Sequence, residues 1–218
     1  MQYKLLIGLL LFSVSCTEPE KKESDFFDNI ENKEPEYKSI DEKITRHIES
    51  NLRIPATEKY SYTIYKNDLN GDDSLDYVIT VNRLEFALQE AIESGKVVKR
   101  AEMGYMGNYN YYFYMDGLSK EISGSIPVPS SPYAELEVEF HNIKTEAYKD
   151  FTIDFRIINS KFRRFYTVIN RIPRQTFEAK IFDGLGDSNP EAFVIDYAQG
   201  SFTLAKDILV FKIGRAHV

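Results

Sequence analysis

The chain has 218 residues, with 34 acidic side chains against 27 basic ones and a formal net charge of −7. That balance offers no electrostatic footprint for nucleic acid or for an anionic membrane surface. A single cysteine excludes an internal disulfide.

Residues 1–15 run from a basic start at Lys4 through the apolar stretch Leu5 to Phe12 to the small-residue exit Ser13-Val14-Ser15. A core of that length is too short to span a bilayer and describes a secretory signal. Cys16 follows directly. The arrangement resembles a bacterial lipoprotein signal, with Ser13 where Leu is usual, and the resemblance implies that Cys16 is lipidated and anchors the mature chain in a membrane. Thr17 rather than Asp after the cysteine resembles outer-membrane sorting, and the acidic run that follows is similar to surface-exported lipoproteins of the Bacteroidetes kind. The other reading is an ordinary cleaved signal with an incidental thiol. Residues 16–36 are dominated by Glu, Lys, Asp, Asn and Pro, with Phe26, Phe27 and Ile30 as the apolar exceptions, a composition expected of a flexible acidic tether.

From Tyr37 the pattern changes. Ile40, Ile44, Ile48 and Leu52 recur at four-residue steps, and Ser39 with Glu42 three places on has the form of a capping box, so an amphipathic helix is expected to stop near Pro55. Strands are expected from Tyr60 to Lys66 and from Leu75 to Asn82. Between them lies Asp68-Leu69-Asn70-Gly71-Asp72-Asp73-Ser74-Leu75-Asp76. Oxygen donors fall on alternate residues, as they do in a loop that curls around a cation: Asp68, Asn70, Asp72 and Asp76 through side chains, Ser74 through its backbone carbonyl. Hard oxygen donors without His or Cys select Ca²⁺ rather than zinc or copper.

The stretch is not an EF-hand, because Ile79 stands where the twelfth-position Glu belongs and Asp73 where the Gly belongs. It resembles instead the calcium loop of FG-GAP and VCBS-type repeats, in which a strand follows the loop directly. Asp tolerates the left-handed backbone that position 73 requires. The alternative is an Asx-rich turn joining two strands without metal.

Leu84 to Ser94 carries apolar residues at helical spacing and ends at Gly95, a short internal helix. The aromatic stretch from Met103 to Gly117 presents Tyr105, Tyr109, Tyr111, Tyr112 and Tyr114. These are either a stacking surface for a glycan or peptide, or an aromatic-rich strand. Alternate residues of a strand face opposite sides, so at most half can share one surface, and the absence of Trp counts against a dedicated carbohydrate binder. Further strands are expected over 136–141, 151–158, 162–169, 176–182, 192–197 and 208–211, with a hairpin turn at Ile158-Asn159-Ser160-Lys161-Phe162. In 135–140, Glu and apolar residues alternate, which predicts one buried and one wet face and an antiparallel sheet. A degenerate second copy of the calcium loop is suggested by Asp183, Asp187, Asn189 and Glu191, with Leu185 replacing the Asn. Ile213 to Val218 resembles the translation of a sequencing adapter, so the natural chain is expected to continue past Lys212. The basic residues Arg156, Lys161, Arg163, Arg164, Arg171 and Arg174 cluster near the predicted hairpin, either to meet an anionic glycan or to balance the acidic strand beside them.

Residues 37–212 are therefore expected to form a single α+β domain, mainly antiparallel β-sheet with one N-terminal amphipathic helix and one short internal helix. No Gly-x-Ser-x-Gly, Ser-x-x-Lys, His-Glu-x-x-His or Gly-Lys-Ser/Thr pattern occurs. The expected function is a non-catalytic, calcium-stabilised binding or structural module on an outer-membrane-anchored lipoprotein, with a glycan or an envelope protein as partner. The alternative is an envelope hydrolase, glycan- or ester-directed, whose paired carboxylates meet only in the fold.

Overall fold

The structure, a computed structural model, describes residues 37–104, 106–184 and 190–213. The readings at Cys16, the tether, Tyr105, Asp187, Asn189 and the last five residues fall outside these ranges. Among the described residues the chain is mostly antiparallel β-sheet with three helices, an α+β arrangement.

Helix α1 (Ile40–Leu52) begins where the Ser39 hydroxyl accepts the Glu42 N–H at 3.1 Å and the Glu42 carboxylate accepts the Lys38 N–H at 2.9 Å. It ends at Arg53, whose left-handed backbone turns its N–H back onto the carbonyls of Glu49 and Ser50. The first sheet holds β1 (Ser61–Asn67), β2 (Asp76–Asn82), β3 (Asn110–Met115) and the two-residue β4 (Ile126–Pro127), in that spatial order. Between β2 and β3 lie α2 (Leu84–Glu93) and α3 (Val97–Gly104). The latter is a helix the sequence did not suggest, since it opens on the β-branched pair Val97-Val98 and runs into the aromatic stretch.

The second sheet runs β5 (Glu137–His141), β6 (Asp150–Ile157), β7 (Ser160–Ile169), β8 (Ile172–Asp183), β9 (Glu191–Gln199) and β10 (Lys206–Lys212), each strand antiparallel to the next. Two cores sandwich the first sheet. Ile44 and Ile48 of α1 pack on Ile79, Val81, Phe113 and Met115 on one face. On the other, Val78, Tyr112 and Tyr114 meet Phe151, Ile153, Phe155 and Tyr166 of the second sheet. Covered on both sides, every residue of β2 is buried. Each fully buried large apolar side chain stabilises by about 1.5–3 kcal/mol.

The second sheet differs from the expected pattern. Glu137 and Glu139 are exposed opposite the buried Val138, as alternation predicts. On β6, however, both faces are buried: Phe151, Ile153 and Phe155 face the first sheet, while Asp150, Thr152 and Asp154 are all under 5 % exposed. The sheet curls so that its far edge returns over this polar face. Tyr197 of β9 rests on His141 of β5 with ring centroids 5.0 Å apart, and the Lys206 N–H donates to the Ile143 carbonyl at 2.7 Å. Among the described residues no helix is long and apolar enough to cross a membrane.

Candidate cation-binding loop

β1 and β2 pair from Ser61↔Asn82 to Asn67↔Asp76, which leaves the intervening residues as a hairpin loop. Three successive Asx turns wind it: Asn70 N–H to Asp68 Oδ1 at 3.2 Å, Asp72 N–H to Asn70 Oδ1 at 3.0 Å and Ser74 N–H to Asp72 Oδ1 at 2.9 Å. Each side chain accepts the amide two residues on, so the alternate residues are held by one repeated interaction. Asp68 also accepts the Gly71 and Asp73 N–H groups at 2.8 and 3.3 Å. The tightness of the winding appears in two left-handed residues, Gly71 at φ +80° and Asp73 at φ +61°. At Gly71 a Cβ would lie 2.8 Å from the Tyr148 ring, so glycine is required for space as well as for conformation.

Leu69, fully buried, pins the loop to the core. Beneath it the buried Asp76 carboxylate accepts the Leu69 N–H at 3.1 Å and the Gly117 N–H at 2.7 Å. Burial raises the Asp76 carboxyl against the opposing pull of those two N–H groups. Gly117 itself sits where a Cβ would meet the Leu75 carbonyl at 2.4 Å.

The fold adds a residue that the contiguous motif does not contain. Asp116, 2 % exposed, comes from the end of β3, and the Asn70 amide donates to it at 3.2 Å and to Asp72 Oδ2 at 3.1 Å. Asn70 Nδ2 thus places a partial positive charge between two carboxylates. Burial pushes the Asp116 carboxyl up, but the Ser119 N–H and hydroxyl, Arg171 and the Leu118 N–H together hold it below the ordinary value. Arg171, at the β7–β8 turn, reaches it at 3.3 Å. Tyr114 is 2 % exposed and its hydroxyl makes no hydrogen bond of ordinary geometry, although it lies against Asp76 and near Asn70 and Asp116. Burial first, and the Asp76 carboxylate second, push its phenol up.

The Asx turns string Asp68, Asn70, Asp72 and Ser74 along one winding, while Asp76 lies beneath it on the Leu69 and Gly117 N–H groups. Sequence reasoning missed Asp116 and gave Tyr114 a different role. The signal for both was the β2–β3 register: Tyr77 pairs with Met115, which sets Asp76 beside Asp116. Every donor is oxygen, the chemistry of a hard cation. Among the described residues no three His, Cys, Asp or Glu side chains converge as a metal site.

The other sequence candidates are placed differently. Tyr109, Tyr112 and Tyr114 are at most 3 % exposed and Tyr111 is half-buried, its hydroxyl donating to the Asn108 carbonyl at 2.6 Å, so these four side chains form no exposed stacking surface. Tyr111, Tyr112 and Tyr114 are covered because β3 is an inner strand with α1 on one face and the second sheet on the other, and Tyr109, just before it, packs on Ala87, Ala91 and Met103 of α2 and α3. Of the second loop, Asp183 and Glu191 pair across β8 and β9, and each meets a lysine, Lys180 and Lys212. The basic cluster is largely matched to acids: Arg163 makes a two-pronged pair with Asp154 at 2.6 and 2.9 Å and reaches Glu139, Lys161 bridges Glu137 and Asp154, and Arg164 meets Glu178. His47 bonds the Ser123 carbonyl at 2.8 Å through Nε2 and packs edge-on to Phe113, the position of a boundary residue. One carboxylate pair, Glu90 and Glu102, shares both the Tyr109 hydroxyl and Lys99.

Compared with known proteins, the chain matches no family model, no curated protein and no solved structure.

Proposed function

We propose that the chain is an envelope lipoprotein, anchored in the outer membrane through Cys16, whose domain is a non-catalytic binding module braced by a structural calcium ion. The ion is held by Asp68, Asn70, Asp72, the Ser74 carbonyl and Asp76, with Asp116 as a further carboxylate. The observation that carries this reading is the arrival of Asp116 on the Asn70 amide beside Asp72, with the buried Tyr114 hydroxyl lying against Asp76 at the same cluster. A divalent cation there neutralises carboxylates that the fold buries together, and joins the β1–β2 hairpin to the end of β3. Arg171 supplies a weaker positive charge at the same carboxylate from the second sheet.

The test is thermal unfolding of the full chain in calcium, in chelator, and with Asp72→Ala. Calcium at a hundredfold its dissociation constant stabilises a protein by about 2.7 kcal/mol, which at this size raises the midpoint by about 5–11 °C. Asp72→Ala abolishes that rise. Identical melting in calcium and in chelator reduces the loop to a turn.

A further inference from the structure

The second sheet has two edges, and they are built differently. At one end β5 is a five-residue strand that carries the exposed Glu137 and Glu139. At the other end β10 spans seven residues without a proline, and its pairing with β9 runs from Lys206↔Gln199 to Lys212↔Phe193 without a bulge. Charges, prolines and bulges are the means by which proteins blunt a free edge. The lysines at the two ends of β10 are neutralised by the chain's own acids, Lys206 by Glu146 at 2.8 Å and Lys212 by Glu191. Between them Asp207 is the single charge.

Three bonds fix which backbone groups of this edge are free. The Gly200 N–H donates to the Ala205 carbonyl at 3.2 Å and the Ile213 N–H to the Ala192 carbonyl at 2.8 Å, both within the β9–β10 hairpin. Bonded and unbonded pairs alternate along an antiparallel ladder, so the odd-numbered residues from 205 to 213 bond β9 and the even-numbered ones face away. The Lys206 N–H does so, donating to the Ile143 carbonyl at 2.7 Å. Beyond it Ile208, Val210 and Lys212 turn their N–H and C=O groups outward, and among the described residues no hydrogen bond reaches them. The side chains along this edge are apolar. The register sets Leu209, Phe211 and Ile213 on one face with Val194 and Phe182, and of these Phe182, Val194, Phe211 and Ile213 are 36, 47, 53 and 51 % exposed.

The free edge is its own complement. A two-fold axis at Val210 pairs that residue with its own copy and sets Ile208 against Lys212 of the partner subunit, so every outward amide of both chains is used. On the apolar face Leu209 meets Phe211 of the partner subunit in the closer type of cross-strand pair. No like charges stand directly opposite each other, the arrangement that destabilises a strand pair. A two-fold at Leu209 would instead need the Lys206 amide, which the Ile143 carbonyl already holds, and would set Lys206 against Lys212 of the partner subunit. We propose that β10 pairs with β10 of a second copy about a two-fold axis at Val210, which joins two six-stranded sheets into one continuous sheet. The interface goes beyond the reading of the chain as a binding module and uses no residue of the calcium loop.

Sedimentation equilibrium of the full chain in a density-matched detergent tests it. The parent sediments at twice the chain mass. Val210→Lys and Val210→Glu each place two like charges across the axis, at a position 41 % exposed in the single chain. Each variant is a monomer with the parent's circular dichroism, and their equimolar mixture recovers the dimer. Val210→Cys, made together with Cys16→Ser, tests the register without adding charge. Hydrogen-bonded antiparallel pairs hold their Cα atoms about 5.5 Å apart, within disulfide reach, so oxidation links two chains. The proposal is overturned by a parent that is monomeric at every concentration, by a charged variant that stays dimeric, by a mixture of folded variants that stays monomeric, or by a Val210→Cys chain that does not cross-link.

Discussion

In the β1–β2 loop, carboxylates are met within a few residues of chain: Asp68 by the amides of residues 70, 71 and 73, Asp72 by that of Ser74, and only Asp76 reaches across, to Gly117, while Asp116 joins from beyond β3. Under the curl of the second sheet the partners come from other strands. Asp154 needs Arg163 and Lys161 from β7, and Asp150 keeps one oxygen unpartnered. A locally satisfied cluster forms wherever its nine residues go, whereas a cross-strand cluster exists only if the sheet curls. The two regions should therefore fail in different ways when a single partner is removed.

The largest effect is expected on the cross-strand side. Asp154→Ala strips the buried partner from Arg163 and Lys161 and leaves them with the exposed Glu139 and Glu137, for a loss of about 3 kcal/mol, the low end for a broken buried pair, read from urea unfolding at neutral pH. In the loop, Asp76→Ala orphans the Leu69 and Gly117 N–H groups and costs about 1–3 kcal/mol even in chelator. A loop variant that proved as damaging as the sheet variant would erase the contrast. Thr167→Val sharpens it from the other direction: its hydroxyl has no partner to lose, so unfolding free energy stays within about 0.5 kcal/mol of the parent or rises.

The smallest expected effect is in pH. Burial first, then Arg163, lower the His141 imidazole below its ordinary 6.5, although Glu139 and Asp154 pull the other way. Between the folded and unfolded values the unfolded chain binds more protons, so stability rises with pH across that window. The contribution of His141 is complete above 6.5 and is lost as pH falls through the folded value. His141→Gln flattens the chemical-denaturation midpoint over that interval, and an unchanged profile would assign the slope to other groups.

What was legible follows the same division. The Ile40–Leu52 stripe, its Ser39 cap and the strands on both sides of the loop are written in short periodicities, and the loop itself is a contiguous motif. Asp73 adopts the left-handed backbone expected of it, at φ +61°. Asp116 was not legible, because it joins the loop only through the β2–β3 register. The burial of the polar face of β6 was not legible for a related reason: Asp150, Thr152 and Asp154 alternate with apolar residues as a wet face does, and only the returning hairpin buries them. The tyrosines of β3 became core residues because sheet position, which no local pattern encodes, covers that strand on both faces.

Terbium luminescence tests the central claim most directly. The chain has 15 tyrosines and no tryptophan, so emission excited through aromatic absorption must come through tyrosine, and Tyr114 lies at the proposed site. The account predicts tyrosine-sensitised emission saturating at one ion per chain, displaced by calcium, and lost in Asp72→Ala. Sensitised emission that persists in Asp72→Ala, or no emission from the folded parent, would contradict a cation site in this loop.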